Sequence, residues 1–170
     1  MFVTAETHVL TNADPEAIWN YASDPDNWTA SNPEEHLGLV FFNSSNRPEQ
    51  GTTFHQKEYV AGVYADLHGR IIYLDKPALT IWTGTATYKM LGGLLHFRIP
   101  EGGVLKMEKT SEGTRASHDV YVDFPNSLWG RLLKWYFLNI LHGDKAMYDH
   151  TYKELVYFKN KLENNSHKSE

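Results

Sequence analysis

The chain has 170 residues, which suits one domain with a core large enough to need no staple. It contains no cysteine, so disulfides, iron–sulfur clusters, thiolate zinc sites and a cysteine nucleophile are excluded. The formal net charge of −5 argues against a nucleic-acid surface. No stretch of about 18 uncharged apolar residues occurs, so no membrane span is expected. The segment 1–10 carries Glu6 and His8 and lacks the apolar run of a signal peptide. A cytoplasmic protein is expected.

Residues 2–11 read as a first strand. Asp14 is placed to cap a helix that starts on Pro15, where the missing N–H costs nothing. Ser23-Asp24-Pro25 stops that helix and starts a second short one reaching Trp28. Residues 36–43 form an apolar strand. Strands at 52–61, 63–74, 79–88, 104–110 and 114–124 follow, rich in Val, Ile, Thr and Tyr and split by Gly, Pro and Asp. These are seven strands, in a sheet expected to hold six to seven, and 94–99 reads as a further short strand before a Pro100–Gly103 turn. Ala61-Gly62 and Ser111-Glu112-Gly113 read as hairpin turns.

Alternation assigns faces. Val63, Ala65, Leu67, Gly69, Ile71 and Tyr73 point inward from one strand. From the last strand Thr114, Ala116, His118, Val120, Val122 and Phe124 do the same. For residues 79–88 the register stays open, with Leu79/Ile81 and Trp82/Ala86 competing for the inside. From residue 127 the pattern becomes helical, with a break expected at His142-Gly143-Asp144. Tyr148, Thr151, Tyr152, Leu155, Phe158 and Leu162 share one face of the second half. The first half, 128–141, is apolar nearly all round. It is expected to cover a cavity, meet a second subunit as in a homodimer, or lie on a membrane surface. One domain over 1–163 with a polar, disordered tail at 164–170 is expected.

This order is the helix-grip layout, an α+β fold in which a curved antiparallel sheet wraps a long C-terminal helix, with two short helices after the first strand. Three motifs resemble the START-like, or SRPBCC, superfamily, in its polyketide cyclase/dehydrase-like branch. They are Thr11–Trp19 followed by Ser23-Asp24-Pro25, Gly69–Pro77 running into Leu79–Trp82, and Glu112–Arg115. The resemblance implies an apolar cavity between sheet and helix that takes a hydrophobic small molecule. It implies either cofactor-independent cyclisation or dehydration of a polyketide-like metabolite, or non-catalytic carriage of a lipid or aromatic ligand. The superfamily shares no catalytic motif, so the site rests on residues.

His118, Glu58 and Tyr73 are the candidate catalytic groups, as acids, bases or hydrogen-bond donors inside the cavity. Glu58 points inward if Phe54 and Gln56 do. Trp28, Phe54, Leu67, Ile71, Trp82, Val120, Tyr148 and Tyr152 are expected as walls, and Arg98 as a partner for an anionic ligand group. Packing or a solvated face is the competing role for each. No helical His pair sits three or four apart: His142 and His150 are eight apart, too far for one ion. His55, His68, His96 and His118 converge only if the fold brings them together. No metal and no cofactor are therefore expected.

Overall fold

The computed structural model describes residues 1–90 and 95–166. One antiparallel sheet holds seven strands: β1 (Phe2–Thr11), β2 (His36–Phe41), β3 (Thr53–Val60), β4 (Val63–Asp75), β5 (Leu79–Met90), β6 (Leu95–Thr110) and β7 (Gly113–Asp123). Their order is β1-β7-β6-β5-β4-β3-β2. After β1 the chain crosses to the far edge through α1 (Pro15–Ala22) and α2 (Pro25–Ser31), then meanders back until β7 pairs with β1. The helix-grip α+β fold is thus the observed one.

Local chemistry sets the ends. Asp14 accepts from the Glu16 N–H and Asp24 from the Asp26 N–H, each capping a helix with Pro at its first position. The β3–β4 turn places Ala61 and Gly62 at φ 52° and 76°, the left-handed pair that a two-residue hairpin demands. The expected helix break is real. α3 (Leu128–Asn139) ends, His142 adopts φ 48°, and α4 (Gly143–Ser166) begins. A Cβ on Gly143 would sit 2.2 Å from the Phe137 ring, so glycine lets the two helices close tightly.

β1 alternates strictly between exposed and buried residues. Its inner side meets α4, where the Thr7 hydroxyl bonds the His118 carbonyl at 2.7 Å and Thr151 Oγ1 at 3.0 Å. Glu163 accepts from the Thr11 hydroxyl at 2.8 Å and holds the far end of α4 down. Around α4 the apolar core includes Val9, Ile18, Trp19, Met107, Leu155 and Phe158. Burying such side chains is the main source of stability. Among the described residues no helix is long and apolar enough to cross a membrane.

Four expectations change. Residues 100–103 are not a turn: β6 runs through them, and Glu101 pairs with Val122 and Gly84. Leu94, the expected start of that strand, lies outside the described residues. Tyr73 does not face inward. The β4–β5 register shifts between Ile71 and Tyr73, a bulge that breaks the two-residue alternation. Ile72 and Tyr73 are both exposed (50% and 45%). Tyr148 and Tyr152 are also exposed, with their rings stacked 5.9 Å apart on the outside of α4. That helix turns Met147, His150, Thr151 and Glu154 toward the cavity and Leu155 and Phe158 into the core, so of the expected face only the two tyrosines stand outside. α4 continues through Ser166, into the segment read as a tail from 164; residues 167–170 lie outside the described ones.

Candidate functional site

A cavity of about 190 Å³ lies between the sheet and α4, with α3 across part of it. Trp28, Phe54, Leu67, Ile71, Trp82 and Val120 line it, as read from the sequence. Arg98 does not: on β6 its neighbours Phe97 and Ile99 line the cavity, and period-two geometry sends Arg98 to solvent. Tyr73, Tyr148 and Tyr152 are likewise absent from the walls. Trp82 rather than Ile81 faces the cavity, which settles the β5 register.

His118 and Glu58 both reach the cavity, and the fold adds partners that come from distant parts of the chain. His36, the first residue of β2, stands directly across from Glu58 on β3. A register shift between His36 and Gly38 buries the imidazole while Leu37 goes to solvent. His150 and Glu154 sit one turn apart on α4. His36 Nε2 lies 3.0 Å from Glu154 Oε1, and His150 Nε2 lies 3.3 Å from the same oxygen. The two Nε2 atoms are 3.2 Å apart. Each is 3.5 Å from Glu58 Oε1. His118 donates from Nδ1 to the other Glu154 oxygen at 2.7 Å.

An outer ring of bonds fixes these rings. His36 Nδ1 donates to the Trp28 carbonyl at 2.8 Å. His150 Nδ1 donates to Glu35 Oε2 at 2.5 Å, and Asn32 Nδ2 donates to that same oxygen at 2.8 Å. Gln56 Nε2 donates to Glu58 Oε1.

Burial and pairing compete in the electrostatics. Burial alone would raise the Glu154 carboxyl, but His118 and His150 beside it win and hold it well below the usual carboxylate range. Burial would lower His150, yet Glu58, Glu154 and Glu35 push it well above an ordinary imidazole. His36 is raised too, because Glu154 and Glu58 outweigh its burial. Glu35 is lowered to about 2, chiefly by its bond to His150. A second carboxyl, Glu101, lines the cavity, accepts the Tyr88 hydroxyl, and is raised to about 8 by loss of water.

Two polar atoms in these walls are buried without a partner, His118 Nε2 and Trp28 Nε1. The Trp28 and His118 rings meet edge-on, 5.5 Å between centroids. Because His118 Nδ1 is the donor to Glu154, Nε2 of the neutral ring is an acceptor. The indole N–H is a donor only. A ligand hydroxyl can donate to His118 Nε2 and accept from the Trp28 N–H, whereas a carbonyl can only accept from the indole.

Sequence reading identified His118, Glu58 and Trp28. It missed His36, His150, Glu154 and Glu35. One signal was present: His150 and Glu154 are four apart, so they share a helix face. A search for paired histidines passed over a His–carboxylate pair.

No family model and no curated protein matches the chain. Solved structures do. The di-domain ARO/CYC protein StfQ of the steffimycin biosynthetic pathway matches at TM-score 0.65 and 14% identity, over 97% of this chain and 52% of its own. This chain thus spans about half of that protein. The Polyketide_cyc-like protein Cgl2372 from Corynebacterium glutamicum matches at 0.58 and 14%, over 96% and 93% of the two chains. A START superfamily protein from Mycobacterium smegmatis matches at 0.55 and 13%, over 96% and 97%. At these identities the likeness shows the fold alone: the chain has the helix-grip architecture that these structures share.

Proposed function

We propose that the chain binds an apolar metabolite in this cavity and cyclises or dehydrates it by acid–base chemistry, a polyketide-like molecule being the substrate class. The observation that carries this reading is His118, oriented by Glu154 at 2.7 Å and leaving an unpartnered Nε2 on the cavity wall. A carboxylate on Nδ1 fixes the tautomer and stabilises the imidazolium that forms when Nε2 takes a proton. Glu58, on the same walls, is the second proton-transfer group. The apolar walls hold a flexible chain folded, which supplies rate through proximity. The likeness to Cgl2372, a Polyketide_cyc-like protein, and to StfQ, an ARO/CYC protein, agrees with this class. A carrier needs walls and one anchor, whereas this cavity gathers several ionisable groups.

Incubation with linear poly-β-ketone mimics tests the reading. Wild type is expected to yield cyclised or dehydrated product, and His118→Gln to bind the mimic without turning it over. Binding without turnover by wild type supports a carrier instead. Absence of binding by either protein overturns both.

We also propose that the outer face of α3 rests on an anionic membrane surface. Leu133, Tyr136 and Phe137 line the cavity from one side of this helix, while Leu128 (84% exposed), Trp129 (72%), Leu132 and Trp135 face outward. Its only charged residues are Arg131 and Lys134. Basic residues among exposed Trp and Leu suit a lipid headgroup boundary. In flotation with phosphatidylcholine–phosphatidylserine vesicles, wild type is expected to rise and Trp135→Glu to stay behind. If neither rises and Trp135→Glu instead splits a dimer, the face belongs to a second copy.

A further inference from the structure

We propose that His36, His150 and Glu154 form a binding site for one divalent transition-metal ion of the zinc type. Three ligand-type atoms converge here, two imidazole Nε2 and one carboxylate Oε1, at separations of 3.0, 3.2 and 3.3 Å. A tetrahedral ion with bonds of about 2.0–2.1 Å spaces its ligand atoms about 3.3 Å apart, so these three atoms fit three of its corners.

The tautomers agree. The Trp28 carbonyl only accepts, so His36 carries its proton on Nδ1. The Glu35 carboxylate likewise claims the Nδ1 proton of His150. Each Nε2 then faces the same Glu154 oxygen, and a metal ion displacing the Nε2 protons would meet both ring lone pairs and that oxygen at one point. Ligating histidines usually donate their other N–H to a carbonyl or carboxylate, and both kinds of support are present. Two imidazoles with one carboxylate favour zinc-like ions over calcium or magnesium, which prefer oxygen alone. His36 and Glu154 are almost fully buried, so the site sits away from competing water.

A second group, His55, Asp66 and His68, shows the contrast. It sits on the outer face of the sheet. The two rings stack 4.3 Å apart at 8°, both Nε2 atoms approach the same Asp66 oxygen, and His68 is exposed, so this group is open to water where the first is buried. His55 makes an ordinary ion pair to Asp66 at 2.6 Å.

Three protein ligands leave one coordination position open, beside Glu58, whose Oε1 lies 3.5 Å from each Nε2 on the cavity wall. There the ion takes a carbonyl or enolate oxygen of the ligand. This second step rests on the substrate class proposed above; metal binding itself does not.

The test uses the whole chain, stripped with chelator, dialysed, and titrated with zinc chloride by calorimetry. Cobalt(II) titration followed by visible absorption reports the geometry. The expected result is one ion per chain with a tetrahedral cobalt spectrum. His36→Ala and His150→Ala should lose this event, and Glu35→Gln should weaken it about 10–100-fold. His55→Ala should leave it unchanged. Circular dichroism checks folding, and Glu35→Gln decides if the alanine variants do not fold. The inference is overturned if wild type shows no saturable binding, if folded Glu35→Gln binds as wild type does, or if His55→Ala abolishes binding. Metal binding without turnover of the mimics overturns only the catalytic reading, and turnover without metal binding only this one.

Discussion

The inner face of α4 and the outer face of α3 invert the usual rule in opposite directions. α4 buries His150 and Glu154 against His36 and His118, while its Tyr148 and Tyr152 stand in solvent. α3 leaves Trp129 and Trp135 exposed. Folding alone favours neither arrangement, since burying charge costs several kcal/mol per ion and exposing tryptophan forgoes its burial. The difference lies in what each region is built to meet. The first is braced by hydrogen bonds on nearly every polar atom. The second has no covering partner among the described residues.

The largest expected effect comes from breaking the buried cluster. Glu154→Ala strands three imidazoles that face its carboxylate, and removing one partner of a buried pair costs about 3–5 kcal/mol. Urea unfolding in chelator should show that loss; a change under about 1 kcal/mol would mean that the cluster is not held as described. Next comes Glu101. Its folded pKa, about 8, lies above the ordinary 4.5, so folding takes up a proton between these values. The contribution of Glu101 to stability is therefore greatest below pH 4.5 and falls as pH rises to about 8, by up to about 1.4 kcal/mol per pH unit. Glu101→Gln keeps an acceptor for Tyr88 and should flatten this contribution, measured as urea midpoints across that range. A slope equal to wild type contradicts the assignment.

Smaller still is Thr151→Val, which removes the bond to Thr7 and should cost about 1 kcal/mol. The smallest changes belong to the exposed groups. Trp135→Glu and Tyr73→Phe should each shift stability by less than about 0.5 kcal/mol. A larger loss in Trp135→Glu would show that α3 is packed rather than presented.

The fold was largely legible because its signals are local. Asp14-Pro15 and Asp24-Pro25 announce helix starts, Ala61-Gly62 a hairpin, and β1, β3 and β7 alternate cleanly. Legibility ended where geometry departs from a fixed period. The bulge after Ile71 turned Tyr73 outward, and the register shift after His36 turned an unremarked histidine inward. Pro100-Glu101-Gly102-Gly103 has turn composition but is held in β6 by pairing on both sides. On α4 Thr151, Leu155 and Phe158 of the apolar stripe are buried as read, but Tyr148 and Tyr152 at its cavity end stand outside and His150 and Glu154 turn in instead. Half of the site was visible as His118 and Glu58, on strands whose alternation is intact. The other half depends on contacts between residues over a hundred positions apart, which no spacing rule encodes.

The most direct measurement is native mass spectrometry of the freshly purified chain, beside Ala146→Trp, which fills the cavity from α4. The account predicts that wild type carries an apolar organic adduct together with one divalent metal ion. It predicts that Ala146→Trp loses the organic adduct. A bare polypeptide mass, unchanged after zinc and a hydrophobic probe such as anilinonaphthalene sulfonate are supplied, would contradict it.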